Sequence, residues 1–471
     1  MKKPTPPIFA TYCWPLGLAT LSLVVLLVLS LIYWQERVFL LDASFQVFHV
    51  IAPEEYFIQV GRYGAVLVQT LPLVLAKLGA PLAVTLASYS LSFTLYPLLL
   101  FGILIYLRTY QLALAVVLYF LCLMAHTFFW IQSEQIQATV LAILTLAIWR
   151  SPRQLGASLR YGGFGALSLL TLYTYPLAAA ALLFGVVYYL WEDRRVGQLI
   201  KGDLLLPPLV VGLFALRQFV LNVNWYDSQK LELTDNILLY ASDVFSLPAT
   251  ANFISHVGST YQLLPVAYLL ATVALLVQCR FWQLATLYAA TAGWLLIILT
   301  CFHYGPDQFY MESYYLMLGL FLALPLADLA LQSKKTSTWA SALLLVALVV
   351  RVWTIIDVSP EYKAKLAYSR TLTRELQTLP DQRYLINESR LDMELLGMSY
   401  GLPTTTLMLS ALDDPDRPRT VLPYAGAPPP NLAAWSKVCF PSAWDCFGYE
   451  RFAGEQYFRL MDSTMITEMP R

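Results

Sequence analysis

The chain has 471 residues, of which 58% are hydrophobic and only 13% charged, and its formal net charge at neutral pH is zero. Its mean hydropathy of +0.60 is well above the usual range of soluble domains. A chain without net positive charge offers no electrostatic support for nucleic-acid binding, which excludes that class of partner. The composition predicts a membrane protein.

Eleven apolar runs are interpreted as transmembrane spans. They cover residues 14–34, 81–107, 112–130, 135–149, 161–173, 174–190, 203–222, 262–278, 283–301, 313–331 and 338–355. The runs 161–173 and 174–190 are short and turn at TYP (174–176), and one long tilted helix is the alternative. The first run is too long for a cleavable signal peptide and lacks a small-residue cleavage site, so we expect an uncleaved anchor.

The basic residues of the short loops predict the orientation. With the N-terminus inside, the inner loops hold Lys2, Lys3, Arg108, Arg150, Arg153, Arg160, Arg194, Arg195, Lys201, Arg280, Lys334 and Lys335. The outer loops before residue 356 hold only Arg37, Arg62, Lys77 and Lys230. This bias predicts a cytoplasmic N-terminus and, after eleven spans, an extracytoplasmic C-terminal region.

The predicted fold is an all-α polytopic membrane domain over residues 1–355, followed by a small α/β or α+β domain over 356–471. The second domain is charged and proline-bearing, and RYLIN (383–387) is its expected strand. Cys439 and Cys446 lie close together in it, and either a disulfide or two free thiols fits this spacing.

A polar stripe marks the first outer loop (35–80). In FLLDASFQVFHV (39–50), Asp42, Gln46 and His49 lie at i, i+4 and i+7 of an otherwise apolar helix. An ionised carboxylate near hydrocarbon costs about 2–3 kcal/mol even on the lenient insertion scale. We therefore expect Asp42 to face a polar cavity as a general base, with an ordinary interfacial position as the alternative.

Other polar residues are predicted to collect on the same side, in the second loop and in outer loops 223–261 and 302–312. Glu134 of the second loop is the other candidate catalytic residue. Arg62 in VGRYG suits a phosphate; the alternatives are snorkelling to the membrane interface or a salt bridge with Glu54 or Glu55. The acidic residues of loop 223–261 are expected to be solvated. The candidate substrate-binding residues are Arg62, His49, His126, Arg217, His303 and Tyr310.

The order of these parts resembles the GT-C superfamily of polyprenyl-phosphate-sugar glycosyltransferases, with the layout of the protein O-mannosyltransferase and O-antigen glucosyltransferase families. LLDASFQVFHVIAPEEYFIQVGRYG (40–64) is similar to the first-loop pattern, in which GR follows an acidic residue. FWIQSEQIQ (129–137) resembles the short second loop, and FHYGPDQFYMESYY (302–315) resembles the aromatic last outer loop.

This resemblance implies an inverting transfer of sugar from a polyprenyl-phosphate carrier to a glycan, lipid or protein acceptor, at the bacterial inner (cytoplasmic) membrane. It implies Asp42 as the base and Arg62 as a phosphate contact. The chain departs from the pattern because Ala43 follows Asp42, where a second carboxylate is expected. Its first outer loop (35–80) also lacks a DxD motif, so we expect neither a metal nor another cofactor.

Three other functions remain as alternatives. A non-catalytic partner of an envelope assembly fits the missing carboxylate equally well. A lipid or solute transporter fits less well, because charges avoid the interiors of the predicted spans. A polysaccharide polymerase or ligase would need an arginine-rich outer loop, and residues 223–261 contain no arginine.

Overall fold

The computed structural model describes residues 8–131, 134–151, 156–221, 224–306 and 308–426, with four short segments beyond them: 439–441, 446–448, 456–458 and 467–469. Helices dominate. The first nine are α1 (Ile8–Ile32), α2 (Trp34–Val38), α3 (Asp42–Ile51), α4 (Val66–Lys77), α5 (Leu82–Tyr106), α6 (Tyr110–Leu123), α7 (Glu134–Arg150), α8 (Ala157–Thr174) and α9 (Ala179–Arg195). The others are α10 (Leu206–Leu216), α11 (Trp225–Glu232), α12 (Asp235–Tyr240), α13 (Pro248–Ser259), α14 (Leu263–Val277), α15 (Phe281–Cys301), α16 (Gln308–Ala330), α17 (Lys334–Gln377), α18 (Met393–Leu396) and α19 (Leu402–Asp413).

Six helical segments of the described chain are long and apolar enough to cross a membrane: Cys13–Ile32, Leu82–Tyr106, Lys201–Leu221, Phe281–Cys301, Gln308–Ala330 and Thr336–Gln377. A bent pair, Trp225–Ser246 and Pro248–Ser259, adds a seventh if it counts as one span. The other five predicted spans are also helical, over 14 to 18 residues each. This pattern agrees with the predicted all-α membrane protein.

The ambiguous stretch 161–190 forms two helices rather than one. Its chain is extended at Tyr175 (φ −159°, ψ 122°), where α8 ends before a 3₁₀ turn leads into α9. The far ends of both helices lie beside Trp149 in α7. Arg160 donates from Nε to the Trp149 carbonyl at 3.0 Å, and the ring centroid of Tyr189 lies 6.4 Å from that of Trp149. The two helices are therefore an antiparallel pair.

Two buried charged residues hold the chain where α6 ends. The guanidinium of Arg351 donates at 2.9–3.2 Å to the last three carbonyls of α6, those of Leu121, Cys122 and Leu123. The carboxylate of Glu312 accepts hydrogen bonds at 2.7–3.0 Å from the next amides, those of Ala125, His126 and Thr127. Both ends of the break are satisfied, so the chain can leave α6 inside the bundle without orphaned backbone groups.

The C-terminal region begins without a break in the helix. Helix α17 runs for 44 residues through the predicted boundary at 355/356. The expected strand RYLIN is confirmed as β1 (Arg383–Asn387), the centre of a parallel sheet with β2 (Thr420–Tyr424) and β5 (Thr467–Glu468). Strands β3 (Cys439–Pro441) and β4 (Cys446–Gly448) pair antiparallel. The side chains of Cys439 and Cys446 lie outside those that the structure describes.

A network of charged and polar side chains lies at the C-terminal end of α7, and we call it the Arg150-end network. Arg150 pairs with Asp193 at 2.5 Å, and Arg280 bridges Glu192 at 3.4 Å and Asp328 at 3.5 Å. Three neutral side chains also donate hydrogen bonds to its carboxylates. Trp149 and Tyr161 donate to Asp203, and Tyr188 donates to Asp328. These contacts join helices α7, α8, α9, α15 and α16 and the segment that leads into α10. The network therefore stabilises the packing of these helices against one another.

Candidate active site

Asp42 is the first residue of α3, and its carboxylate contacts a tyrosine from the C-terminal region. The Tyr400 hydroxyl donates a hydrogen bond to Oδ1 of Asp42. The backbone before Asp42 is strained, since Leu41 has φ 44° and ψ −115°; Val60, two residues before Arg62, has φ 45° and ψ 33°. Such conformations cost about 1–3 kcal/mol each in non-glycine residues and cluster at functional sites. Tertiary contacts therefore hold the backbone in these strained conformations beside Asp42 and near Arg62.

The segment around Tyr400 docks closely on the start of α3. A Cβ at Gly401 would lie 2.8 Å from the Cα and carbonyl oxygen of Leu41, so only glycine fits this approach. The Ser44 hydroxyl accepts a hydrogen bond from Thr405 at 2.8 Å and donates to the Gly401 carbonyl at 3.2 Å. The C-terminal region thus completes the surroundings of Asp42.

The surroundings of Asp42 change its acidity. The residue keeps part of its surface exposed, but protein atoms crowd its carboxyl group. Burial raises the pKa of Asp42 to about 6, while the hydrogen bond from Tyr400 opposes this rise. The charges of Glu134 and Arg62 are close enough to add smaller effects, upward and downward respectively. Asp42 is therefore ionised at neutral pH and still basic enough to accept a proton.

Arg62 is buried and connects three parts of the chain. Its Nη1 donates to Glu134 at 2.8 Å, at the start of α7, and its Nη2 lies 3.4 Å from Oδ1 of Asp227, in α11. The guanidinium carbon lies 4.9 Å from the ring centre of Tyr175 and 5.0 Å from that of Tyr226. Its acidic partners are thus Glu134 and Asp227, and the alternative with Glu54 or Glu55 is wrong.

Arg217 joins the same cluster through Asp227. The end of α10 widens into a π-helical turn over Arg217–Leu221, in which Arg217 and Gln218 are buried. Nη1 of Arg217 lies 2.7 Å from Oδ2 of Asp227. The expectation that Asp227 is solvated is wrong, because this carboxylate bridges two buried arginines. Within the described chain, Nε and Nη2 of Arg217 and Nε of Arg62 have no hydrogen-bond partner.

Lys230 and Tyr310 extend the cluster. The Lys230 ammonium donates to the Tyr310 hydroxyl at 2.5 Å, and the Tyr314 hydroxyl donates to the same oxygen at 3.1 Å. The Tyr310 ring lies 5.4 Å from that of Trp130, at the α6–α7 break. We call Asp42, Arg62, Glu134, Arg217, Asp227, Lys230, Tyr310 and Tyr400 the Asp42-end cluster. It combines three cations and three carboxylates.

A cavity of about 90 Å³ opens beside this cluster. Arg62, Asp227 and Lys230 form its polar wall. Another part of the lining, its apolar wall, is built by Leu177, Phe214, Ile297, Ile298 and Phe302. Ile297 is 37% exposed on the outside of the bundle, so this wall is continuous with the apolar surface. Asp42, Glu134 and Tyr310 do not line this cavity, so it does not meet the expectation that Asp42 faces a polar cavity. Glu134 and Tyr310 contact the lining residues Arg62 and Lys230.

The structure places the three candidate histidines in other surroundings. His49 contacts the Phe45 carbonyl through Nδ1 at 2.8 Å and packs between aromatic rings of the first loop. His126 lies 2.9 Å from the Tyr362 hydroxyl and 3.7 Å from a Glu361 oxygen. The His303 ring stacks on Tyr240 at 4.2 Å. These contacts are typical of packing.

The residues that sequence reasoning missed are Tyr400, Asp227 and Lys230. No local pattern marks Tyr400, although its neighbours in GLPTTT are small enough for close packing. Among the described residues, no group of three or more His, Cys, Asp or Glu side chains could hold a metal ion. No family model, curated protein or solved structure matches the chain.

Proposed function

We propose that this protein is a membrane glycosyltransferase of the GT-C type. It moves a sugar from a polyprenyl-phosphate carrier to an acceptor hydroxyl with inversion. The observation that carries the proposal is the Asp42 carboxylate, which has a neutral phenol as its direct partner and a raised pKa beside a cluster of buried cations. A base and an anion-binding region in one place are what this transfer requires.

The two walls of the cavity support a lipid-linked donor. Its apolar wall, which includes Phe214 and Ile297, suits a polyprenyl chain that enters from the bilayer. Its polar wall carries Arg62 and Lys230, and Nε of Arg62, which has no partner within the described chain, is available to bind a phosphate. The leaving phosphate is already anionic, so it needs positive charge rather than a proton.

Asp42 and Glu134 take different roles in this mechanism. Asp42 accepts the proton of the acceptor hydroxyl as its oxygen attacks the anomeric carbon of the sugar, and the bond from that carbon to the phosphate oxygen breaks. Glu134 orients Arg62 through the 2.8 Å ion pair. Tyr310 orients Lys230 through the hydrogen bond that its hydroxyl accepts. Tyr400 holds the Asp42 carboxylate.

The proposal includes the eleven-span topology in the bacterial inner membrane, with a cytoplasmic N-terminus and an extracytoplasmic C-terminal domain. Engineered cysteines between residues 151 and 160 should react with an impermeant maleimide only after lysis. Cysteines at exposed positions of the C-terminal region, such as Asp414, should react in intact cells. Labelling of Asp414→Cys only after lysis would place this domain inside and overturn the topology.

The activity test is transfer of radiolabelled sugar from a polyprenyl-phosphate donor by the purified protein in detergent. The donor panel should vary the sugar, and the acceptor panel should include envelope glycan, lipid and protein. We expect transfer from at least one donor, with inverted anomeric configuration in the product. Complete inactivity across the panels would contradict the proposal and favour the non-catalytic partner, since the site lacks the second carboxylate of the resemblance.

A further inference from the structure

A second buried arginine site lies apart from the Asp42-end cluster. Arg37 in α2 is 2% exposed. Its guanidinium reaches back along α1, where Nη1 donates to the Ser30 hydroxyl, and Nη2 donates to the Ser90 carbonyl at 3.2 Å. The Phe128 ring centre lies 4.4 Å from its guanidinium carbon. These neighbours are neutral.

The charge of Arg37 is not compensated within the described chain. None of the described acidic side chains forms an ion pair with it, and its Nε has no hydrogen-bond partner. Burial lowers the pKa of Arg37 to about 9, which still leaves it protonated at neutral pH. An unpaired buried charge is strongly destabilising unless a counter-ion accompanies it.

A small cavity adjoins this guanidinium. It has a volume of about 30 Å³ and lies between α1, α5, α6 and α7. Gln137 lines it together with Arg37, and both polar atoms of the Gln137 side-chain amide are buried without a partner. The hydroxyl-bearing side chains of Thr94, Tyr96 and Thr127 complete the polar part of the lining. The remaining lining is apolar.

We propose that this cavity binds one chloride ion between the Arg37 guanidinium and the Gln137 amide. The cavity holds about one water-sized particle, which admits a monatomic anion and excludes phosphate. Guanidinium and amide N–H groups together form the donor set that a monovalent anion requires. This structural anion site is independent of the proposed transfer activity, and it balances the buried charge of Arg37.

The first test compares the thermal unfolding of the purified protein in sodium chloride, bromide and gluconate at equal ionic strength. Chloride and bromide should raise the melting temperature above that in gluconate by about 2 °C or more, because a ligand that binds only the folded state stabilises it. Equal melting temperatures in the three salts would overturn the proposal and indicate that the cavity holds water only.

Two glutamine variants separate this site from general salt effects. Gln137→Leu should remove the difference between chloride and gluconate. Gln135→Leu is the matched control, because Gln135 is also buried on α7 with both amide atoms unpartnered but does not line the cavity. It should keep the full difference. The same chloride response in Gln137→Leu and in the parent chain would contradict the proposal.

A direct test is anomalous diffraction from crystals grown in bromide. We expect a bromide peak within hydrogen-bond distance of both Arg37 and Gln137 in the parent chain and in Gln135→Leu. An anomalous map without a peak in this cavity would overturn the assignment, whatever the melting temperatures show.

Discussion

Two polar groups, one buried and one partly buried, lie at opposite ends of α7, and each contains an arginine between two carboxylates. At the start of the helix, Arg62 lies between Glu134 and Asp227. At its end, in the Arg150-end network, Arg280 lies between Glu192 and Asp328. The 17 residues of α7 separate the two by about 25 Å. The same ion-pair chemistry therefore occurs twice in one bundle.

The two groups differ in which parts of the chain they join. The Arg150-end network connects bundle helices and one short segment that leads into α10. The Asp42-end cluster connects the bundle to the first loop, to α11 and, through Tyr400, to the C-terminal region. It also borders the cavity and leaves donor groups of Arg62 and Arg217 unpartnered. Buried charge, spare N–H groups and strained backbone do not separate the two, since Nε of Arg280 is also unpartnered and Cys279 beside it has φ 54°. The cavity and the contact with the C-terminal region distinguish the Asp42-end cluster.

The largest expected effect is on turnover at Asp42. Asp42→Asn removes the proton acceptor and keeps the shape, so the kcat for sugar transfer should fall by roughly 10²–10⁴-fold with little change in donor binding. The control is Asp203→Asn at the other end of α7, which should lower the melting temperature and leave the turnover of the folded protein unchanged. Full activity in Asp42→Asn would reject this residue as the base.

The next largest expected effect is on donor binding, and it comes from replacing Arg62, with Arg280 of the Arg150-end network as the matched control. Arg62→Met should raise the KM for the lipid-linked donor by roughly 10–100-fold, because a charge-assisted contact to phosphate is lost. Arg280→Met should leave that KM unchanged. Each variant removes the ion-pair partner of one carboxylate, Glu134 or Asp328, whereas Asp227 keeps Arg217 and Glu192 keeps Arg195. Each should therefore lose about 3–5 kcal/mol of stability. Equal changes of KM in both would show that Arg62 acts only on stability.

The docking of the C-terminal region on α3 should have a smaller effect. Gly401→Ala places a Cβ 2.8 Å from the Leu41 backbone, so the segment that carries Tyr400 must shift. We expect a fall in kcat of roughly 10-fold or more from the displaced contact. Gly293→Ala, in the open surroundings of α15, is the control and should have no effect on kcat. Unchanged turnover in Gly401→Ala would separate Tyr400 from catalysis.

The smallest expected effect is that of metal removal. Because the first outer loop, which carries Asp42, lacks a DxD motif, EDTA should leave both kcat and KM of the parent chain unchanged in the transfer assay. Loss of activity in EDTA, restored by magnesium or manganese, would show that the proposed mechanism lacks a required metal.

The sequence predicted the helices well because long apolar runs have few alternatives in a membrane. Helices occur at all eleven predicted spans, and the turn at TYP lies at Tyr175. The polar stripe of FLLDASFQVFHV correctly predicted a helix there. The predicted domain boundary at 355/356 is not a break in secondary structure. The composition changes there from apolar to charged, but α17 continues through it.

The candidate site was harder to predict because its contacts join distant parts of the chain. Tyr400 meets Asp42 across 358 residues, and Asp227 meets Arg62 across 165. Asp227 lies in a polar stretch whose composition favours exposure, yet two buried arginines hold it inside. The periodicity of a sequence shows which face of one helix or strand is polar. It does not show which other helices or strands pack against that face.

The pH dependence of transfer by the parent chain and by Tyr400→Phe tests the account most directly. Asp42 acts as a base only when ionised, so kcat/KM should fall about tenfold per pH unit below its pKa of about 6 and level off above it. The Tyr400 hydrogen bond lowers that pKa, so Tyr400→Phe should move the acidic limb to higher pH and regain activity as the pH rises. An acidic limb that stays in place, or a loss of activity that is equal at every pH, would contradict Asp42 as the base.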